Sequence, residues 1–515
     1  LADRVAQFRS VVDGRRVLIV LDAVDSGADS APPHVTDLLP AAPGAMAIVT
    51  SRRPVDGLDP DLQLPVGRLD TASSLDLLRA AIGHDRVEAD RAGAERLIEV
   101  VGGMPLALRL VARRASARPD LTLARAAEKI DQRATDGLDT LTAGVRLALG
   151  RLPGEAQEAV TLVAALPTRS FSGWTVGALL DDPDAGDRAV DALIASGLVE
   201  AVQRPGQIVQ FRLHEVVARL VPGSGAPERS WSDAAPRLGR ELLDRCISHG
   251  RTHPTQLLPR PGLPTPGPAT PLDRSSCSVE RAESLAFFAT EAPLARALAR
   301  RLVESRPDLA WRLLVSIASA SLSTPSPERW SAAVAAVEPV LGPHDDGRRG
   351  SAHLMLCRAW HLQSRSSDSA RARSLADQAR RQLILLGEHG PAASAAIVAG
   401  SCSLSVGRRE EAERNVAQAE DSLARHDDRL LVGMVAMLRG MIHHDYDELA
   451  AAVAELTRAR EMLSPTPARA AFGHATLELS RALRRRGDLG PSDLLVDEAL
   501  DVLDPTTHDP CYALD

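Results

Sequence analysis

Lysine is almost missing from this sequence. Of its 60 basic residues only Lys129 is a lysine, and it lies in "AAEKIDQ" with no glycine loop before it. A phosphate-binding Walker A loop needs GxxxxGK[ST], in which the lysine reaches the β- and γ-phosphates, so the chain holds no such loop. Aromatics are scarce at 3%, and alanine and leucine dominate the apolar set, which favours packed helices over β-sandwiches. No apolar run approaches the roughly 18–20 residues of a membrane span, and no charged-then-apolar leader opens the chain. The five cysteines (Cys246, Cys277, Cys357, Cys402 and Cys511) lie far apart without a CxxC pair. They imply neither a disulfide framework nor a zinc site, and the expected compartment is a reducing cytoplasm. A basic excess is absent as well. The net charge of -8 argues against nucleic-acid binding by this chain itself, because neutralising phosphates needs a basic face. GxSxG, HExxH and a Cys/His dyad are all missing, so no catalytic residues are assigned.

What is present fits a soluble globular chain, with 44% hydrophobic and 25% charged residues. Its 515 residues are too many for one core and indicate roughly three or four domains. Two short apolar runs, "RRVLIVLD" (15–22) and "AMAIVTSRR" (45–53), read as strands buried on both faces of a parallel sheet. A third extended segment, "LQLPVGRL", precedes "TASSLDLLRAAIG", an amphipathic helix with Thr71 or Ser73 as its cap. Helical spacing then continues on either side of "GGMP", with Pro105 in the first turn of the second helix. Helices near 155–166, 174–180 and 187–196 lead into a hairpin formed by "GLVEAV" and "IVQFRL", a winged-helix layout. Between Pro254 and Pro271 stand seven prolines, which mark a linker.

Beyond about residue 278 the pattern is helical and repeats every 40 residues. Ala379, Ala419, Ala459 and Ala499 align, as do Leu383, Leu423, Leu463 and Leu503. Ala372, Ala412, Ala452 and Ser492 form a further column, and Gly400, Gly440 and Ser480 another in the preceding helix. Offsets of four and seven place these residues on one helix face, with small side chains where helices approach closely. The pattern predicts helix hairpins similar to tetratricopeptide repeats, although those usually run to about 34 residues.

Several residues are candidates for chemistry. Asp22 ends the first strand, where an acid can hold Mg²⁺ through water, or can simply cap the following loop. Arg52 ends the second strand and is suited to grip a terminal phosphate, or to pair with the acidic loop around Asp56 and Asp59. In "GGMPLAL" (102–108), Gly103 allows close backbone approach and Pro105 offers a flat ring to a purine; a bare hinge between helices would use the same residues. His214 closes the hairpin strand. The group His443, His444, Asp445 and Asp447 has metal-binding donors, but it falls at a repeat turn where polar residues are expected. Arginine runs such as Arg484-Arg485-Arg486 read as solvated helix ends.

The order "RRVLIVLD", "AIVTSRR", "LPVGRLDTASSLDLLRAAIG", "GGMPLALRLVARR" and "FRLHEVV" resembles the NB-ARC (AP-ATPase) branch of the STAND signalling NTPases, in particular bacterial regulators of the SARP/AfsR type. "RAESLAFFATEA", Trp330 in "ERWSAAV" and the repeats extend the likeness over nearly the whole chain. The resemblance implies a mainly α fold with an α/β part: a partial P-loop-NTPase-like parallel sheet over 1–70, a helical lid over 71–138 and a winged helix over 139–222. A helix with a Pro-rich linker would follow over 223–277, then an α-solenoid of tetratricopeptide-like hairpins over 278–515. It also implies ADP or ATP with Mg²⁺ as cofactor. In the family's roles Asp22 is the Walker B acid, Arg52 senses phosphate, Gly103 and Pro105 belong to the adenine-contacting element, and His214 stands for the "MHD" histidine at the β-phosphate. Ala23 replaces a second acid common after the Walker B aspartate, and Leu213-His214-Glu215 alters the triplet. The implied activity is at most a slow regulatory ATPase. The implied partners are a protein or ligand on the repeat surface, other copies of the chain, and DNA only through a domain outside this chain. The opening at Leu1 rather than methionine fits an excerpt or a gene whose 5′ part is missing, and the absent phosphate loop reflects either truncation or true loss. A different class remains open, a nucleotide-free interaction scaffold built on the repeats.

Overall fold

The computed structural model describes residues 5, 8, 10–12, 15–22, 24, 35–39, 44–51, 58, 60–64, 66–101, 103–117, 122–131, 149–150, 152–203, 206–213, 217–218, 221, 228–250, 274–322, 328–365, 368–425, 428–466 and 468–502. The chain divides into two compact units, Leu1–Arg68 and Leu69–Asp515. In the first unit β1 (Leu18–Leu21) and β2 (Met46–Val49) pair in parallel, with Leu18 opposite Met46 and Leu21 opposite Val49.

The parallel pairing agrees with the apolar runs, but the expectation of burial on both faces does not hold. Leu18 and Val20 are each 58% exposed, Met46 61% and Ile48 42%, while Ile19, Leu21, Ala47 and Val49 are half-buried. One face is therefore open, because only one side of this two-stranded pair is packed. The segment after it joins no strand, and Leu62, Leu64 and Val66 are exposed.

Among its described residues the second unit is helical apart from one small sheet. It begins with α1 (Thr71–Ile82), α2 (His84–Ala89), α3 (Arg91–Val101), α4 (Pro105–Ala117) and α5 (Leu123–Asp131). These close over Leu75, Leu78, Val87, Leu97, Leu108 and Leu123. The cap of α1 is Asp70, whose carboxylate accepts from the Ser73 N–H at 2.7 Å; Thr71 and Ser73, the expected alternatives, both already lie inside the helix. Pro105 opens α4 as its lack of an N–H allows.

Next come α6 (Gly154–Ala164), β3 (Ser170–Phe171), α7 (Gly173–Leu180), α8 (Pro183–Ser196), β4 (Val199–Val202) and β5 (Gln210–Leu213). The three strands form an antiparallel sheet in the order β3-β5-β4. The hairpin follows the sequence reading; β3, two residues long, is too short to leave a periodic signal. α9 (Glu228–His249) and α10 (Arg274–Leu302) follow, then α11 (Pro307–Ser316), α12 (Ala318–Leu322) and α13 (Glu328–Val337). One continuous apolar core joins residues of α6–α8 to those of α9–α11 and α13, with Trp311 and Trp330 fully buried.

The remaining helices among the described residues are α14 (Asp345–Ser364), α15 (Ser369–Leu385), α16 (His389–Ser405), α17 (Arg409–Leu423), α18 (Arg429–Asp445), α19 (Leu449–Leu463), α20 (Arg469–Arg486) and α21 (Leu489–Val502). From Ser369 to Leu489 the helix starts recur every 20 residues, so a hairpin is the 40-residue unit. The alanines of the aligned columns are buried, and each helix stacks on its neighbours in sequence. The glycine column has a steric cause: a Cβ on Gly440 would lie 2.6 Å from Leu456 Cγ. In the last repeat this close contact is replaced by Ser480 and Ser492, whose hydroxyls lie 3.0 Å apart in a buried hydrogen bond.

Candidate functional site

The sheet presents its carboxyl edge through two residues. β1 runs into Asp22 and β2 into Thr50, and the parallel register brings the two side by side. Thr50 Oγ1 donates to Asp22 Oδ1 at 2.5 Å, Thr50 N–H donates to Leu21 O at 2.9 Å, and Val24 N–H donates to Thr50 O at 2.8 Å. Asp22 is exposed. Its carboxylate thus sits fixed at the rim where open α/β sheets bind ligands, and an oriented carboxylate there suits a hydrated divalent cation. Arg52 lies outside the described residues, as do Ala23 and the acidic loop expected to pair with that arginine.

In the second unit the glycine-rich break has a local structural purpose. Gly103 takes φ +65°, and a Cβ there would meet Leu69 O at 2.3 Å. Its carbonyl accepts from Leu69 N–H at 2.9 Å, which ties the approach to α1 against the turn between α3 and α4. The side chain of Pro105, two residues on, is exposed and free to touch a ligand. His214 and Glu215 lie outside the described residues. Asp22 therefore belongs to one unit and Gly103 and Pro105 to the other.

Asp90 went unnoticed in the sequence. One carboxylate serves two helix starts: it accepts from Gly93 N–H at 3.2 Å in α3, and from Leu123 N–H at 2.6 Å and Ala124 N–H at 3.2 Å in α5. An aspartate just before a helical run signals the first cap; the second, more than thirty residues away, leaves no local signal. A further tie joins α4 to α8, where the Arg113 guanidinium donates to Ile194 O.

Along the repeats, ion pairs cross from one helix to the next repeat: Arg349 with Glu388, Arg373 with Glu411, Arg409 with Glu448 and Arg460 with Glu498. These half-exposed pairs set register more than stability. Among the described residues no group of His, Cys, Asp or Glu is arranged to hold a metal. His443 Nδ1 instead meets Glu448 Oε2 at 2.5 Å, and Asp447 pairs with Arg485. Arg484 and Arg486 likewise pair, with Asp493 and Asp488. Burial pushes the Cys357 thiol up to about 12 and the Cys402 thiol up to about 11, which leaves both unreactive. No helix among the described residues is long and apolar enough to cross a membrane.

No protein-family model matches the chain. It is similar to the regulatory protein AfsR of Streptomyces griseus, 34% identical over 250 residues, which cover 47% of this chain and 24% of that protein. It is also similar to the regulatory protein AfsR of Streptomyces coelicolor, 32% identical over 263 residues, covering 48% and 25% respectively. The likeness to AfsR-type regulators that the motif order implies is therefore found over about half of the chain, which spans about a quarter of the length of these relatives. Among solved structures, a signal transduction ATPase with numerous domains and a tetratricopeptide repeat sensor, from Pyrococcus horikoshii, aligns over 98% of this chain and 71% of that one, with a TM-score of 0.47 and 12% identity.

Proposed function

We propose that this chain is the sensor-and-switch portion of a STAND-type transcriptional regulator whose state depends on ADP or ATP. The similarity to AfsR regulatory proteins carries this reading. The exposed Asp22 at a parallel strand edge, held by Thr50, supports a Walker B role. The helix–strand–helix–helix–hairpin order of residues 154–213 supports a winged helix used as a switch element. In this reading the repeats receive a protein or small ligand, and the signal acts by favouring one nucleotide state over the other. DNA is engaged through a domain outside this chain.

The test is a thermal melt of the purified chain with and without ADP and Mg²⁺. Binding at 100 times the dissociation constant stabilises by about 2.7 kcal/mol, which a melt resolves. The absence of any shift at millimolar ADP refutes nucleotide binding by this chain. A His214→Ala change in a longer protein that includes a Walker A segment is expected to weaken ADP retention; unchanged retention removes His214 from the switch.

One observation favours a second reading. The chain contains no GxxxxGK[ST], and its one lysine lies far from any glycine loop. A nucleotide-free scaffold, with the repeat array as its working surface, accounts for that absence directly and gives the flat outcome of the melt.

A further inference from the structure

Among the described residues, one carboxylate is fully buried and no lysine or arginine is: Glu291 of α10, 1% exposed. It lies where the helix–sheet module of residues 154–213 meets α10. Its Oε1 accepts from the Ser172 hydroxyl and from the indole N–H of Trp174 at 3.2 Å. Ser172 occupies the N-cap position of α7, yet its hydroxyl makes no capping bond to that helix and serves Glu291 instead. The neighbouring residues of α10 hold the hairpin turn. Thr290 Oγ1 accepts from Ile208 N–H at 3.1 Å, and Gln207 Nε2 donates to Ala289 O at 3.5 Å. Ala289, Thr290 and Glu291 thus grip both the start of α7 and the turn before β5.

The rest of this junction is apolar, with Phe171 of the module and Phe287 and Phe288 of α10 buried in one core. A carboxylate in such a place costs free energy that neutral hydrogen bonds offset only in part. The charged group facing it is Arg245 of α9, but that guanidinium lies over the Trp174 ring at 4.7 Å and pairs with Glu241 at 2.7 Å. Glu291 has no ion-pair partner of its own. Burial holds its carboxyl above the usual carboxylate range, with the Ser172 and Trp174 bonds opposing.

We propose that Glu291 is a release point, a buried acid that fastens the module of residues 154–213 to α10 yet keeps that fastening weak enough for the module to detach as a unit. The inference does not depend on nucleotide binding. It makes this junction a weak plane, because a carboxylate is buried there without an ion pair in an otherwise apolar core. A buried amide with the same shape would keep an acceptor for Ser172 and Trp174 while removing the charge. Glu291→Gln should therefore tighten the junction, the reverse of what loss of an essential ion pair would do.

Hydrogen exchange of the full chain tests this. In Glu291→Gln, amides in 170–180 and 206–213 are expected to exchange about tenfold more slowly than in the parent, with 429–463 unchanged. In Glu291→Ala the same two segments should exchange at least tenfold faster while 429–463 again keeps its protection. Raising the pH from 5 to 8, after correction for intrinsic exchange, should loosen these segments in the parent and not in Glu291→Gln. Faster or unchanged exchange in Glu291→Gln overturns the proposal. So does a Glu291→Ala protein that loses protection equally throughout the unit, since that shows a structural contact and no separable junction.

Discussion

The two-stranded sheet and the repeat array solve the same burial problem with opposite success. In the array each helix meets its neighbours 20 residues before and after, so local chain supplies the cover and alanines such as Ala379, Ala419 and Ala459 are wholly buried. A parallel pair cannot do this. Its faces depend on helices from crossover connections, and here Leu18, Val20, Met46 and Ile48 present an open apolar face. Local periodicity therefore completes a solenoid within its own length, whereas a parallel sheet is complete only when distant segments are in place.

The largest effect that separates the two regions is acid sensitivity of the array's first helix. His353 of α14 is buried, with neither ring nitrogen hydrogen-bonded, stacked on Trp311. Burial first, then the nearby Arg349 and Arg312, lower it to about 3. His361, one turn past Cys357, is lowered to about 4, mainly by burial, while its Nε2 meets Ala318 O at 2.8 Å. Both stay neutral in the folded chain and take up protons near 6.5 when unfolded. Stability is thus full above pH 6.5 and falls by about 1.4 kcal/mol per histidine for each unit below it, until the folded values are reached. Urea unfolding at pH 7.5 and 5.5 measures this, and His353→Phe is expected to remove about half of the slope. An unchanged slope in that variant refutes the assignment.

A smaller effect comes from the repeat columns. Gly440→Val places branched carbon against Leu456 and is expected to destabilise by about 2–3 kcal/mol in chemical denaturation. A loss below 0.5 kcal/mol would mean the hairpin opens without strain, contrary to the close approach described. The smallest effect belongs to the sheet. Val20→Thr on the exposed face should change stability by no more than about 0.5 kcal/mol. A loss above about 1 kcal/mol would show that this face is covered in solution, and the contrast between the two regions would vanish.

Much of this was legible beforehand. The 40-residue register placed Ala412, Gly440 and Leu463 on buried helix faces, because one helix face is an arithmetic property of spacing. Pro105 marked the start of α4 for an equally local reason. The strand runs announced β1 and β2 and their parallel pairing, but apolar continuity cannot reveal whether both faces find cover. Asp70 caps α1 where the sequence pointed to Thr71 or Ser73, because all three are good capping residues and the choice depends on one backbone turn. Of the candidate residues, Asp22 stands at the strand edge as its position implied, Pro105 is exposed, and Gly103 has a sufficient steric reason in Leu69 alone.

The sequence by itself determined the repeat period, the order of the longer helices and of the strands β1, β2, β4 and β5, and the lack of a phosphate loop, all of which follow from neighbours in the chain. Only the tertiary structure decided that Glu291 bonds Ser172 and Trp174, 119 and 117 residues away, and that Asp90 serves a second helix. A buried polar group takes whichever donor the packing brings to it. No spacing rule encodes that choice, because it is settled by apolar surfaces closing around the pair.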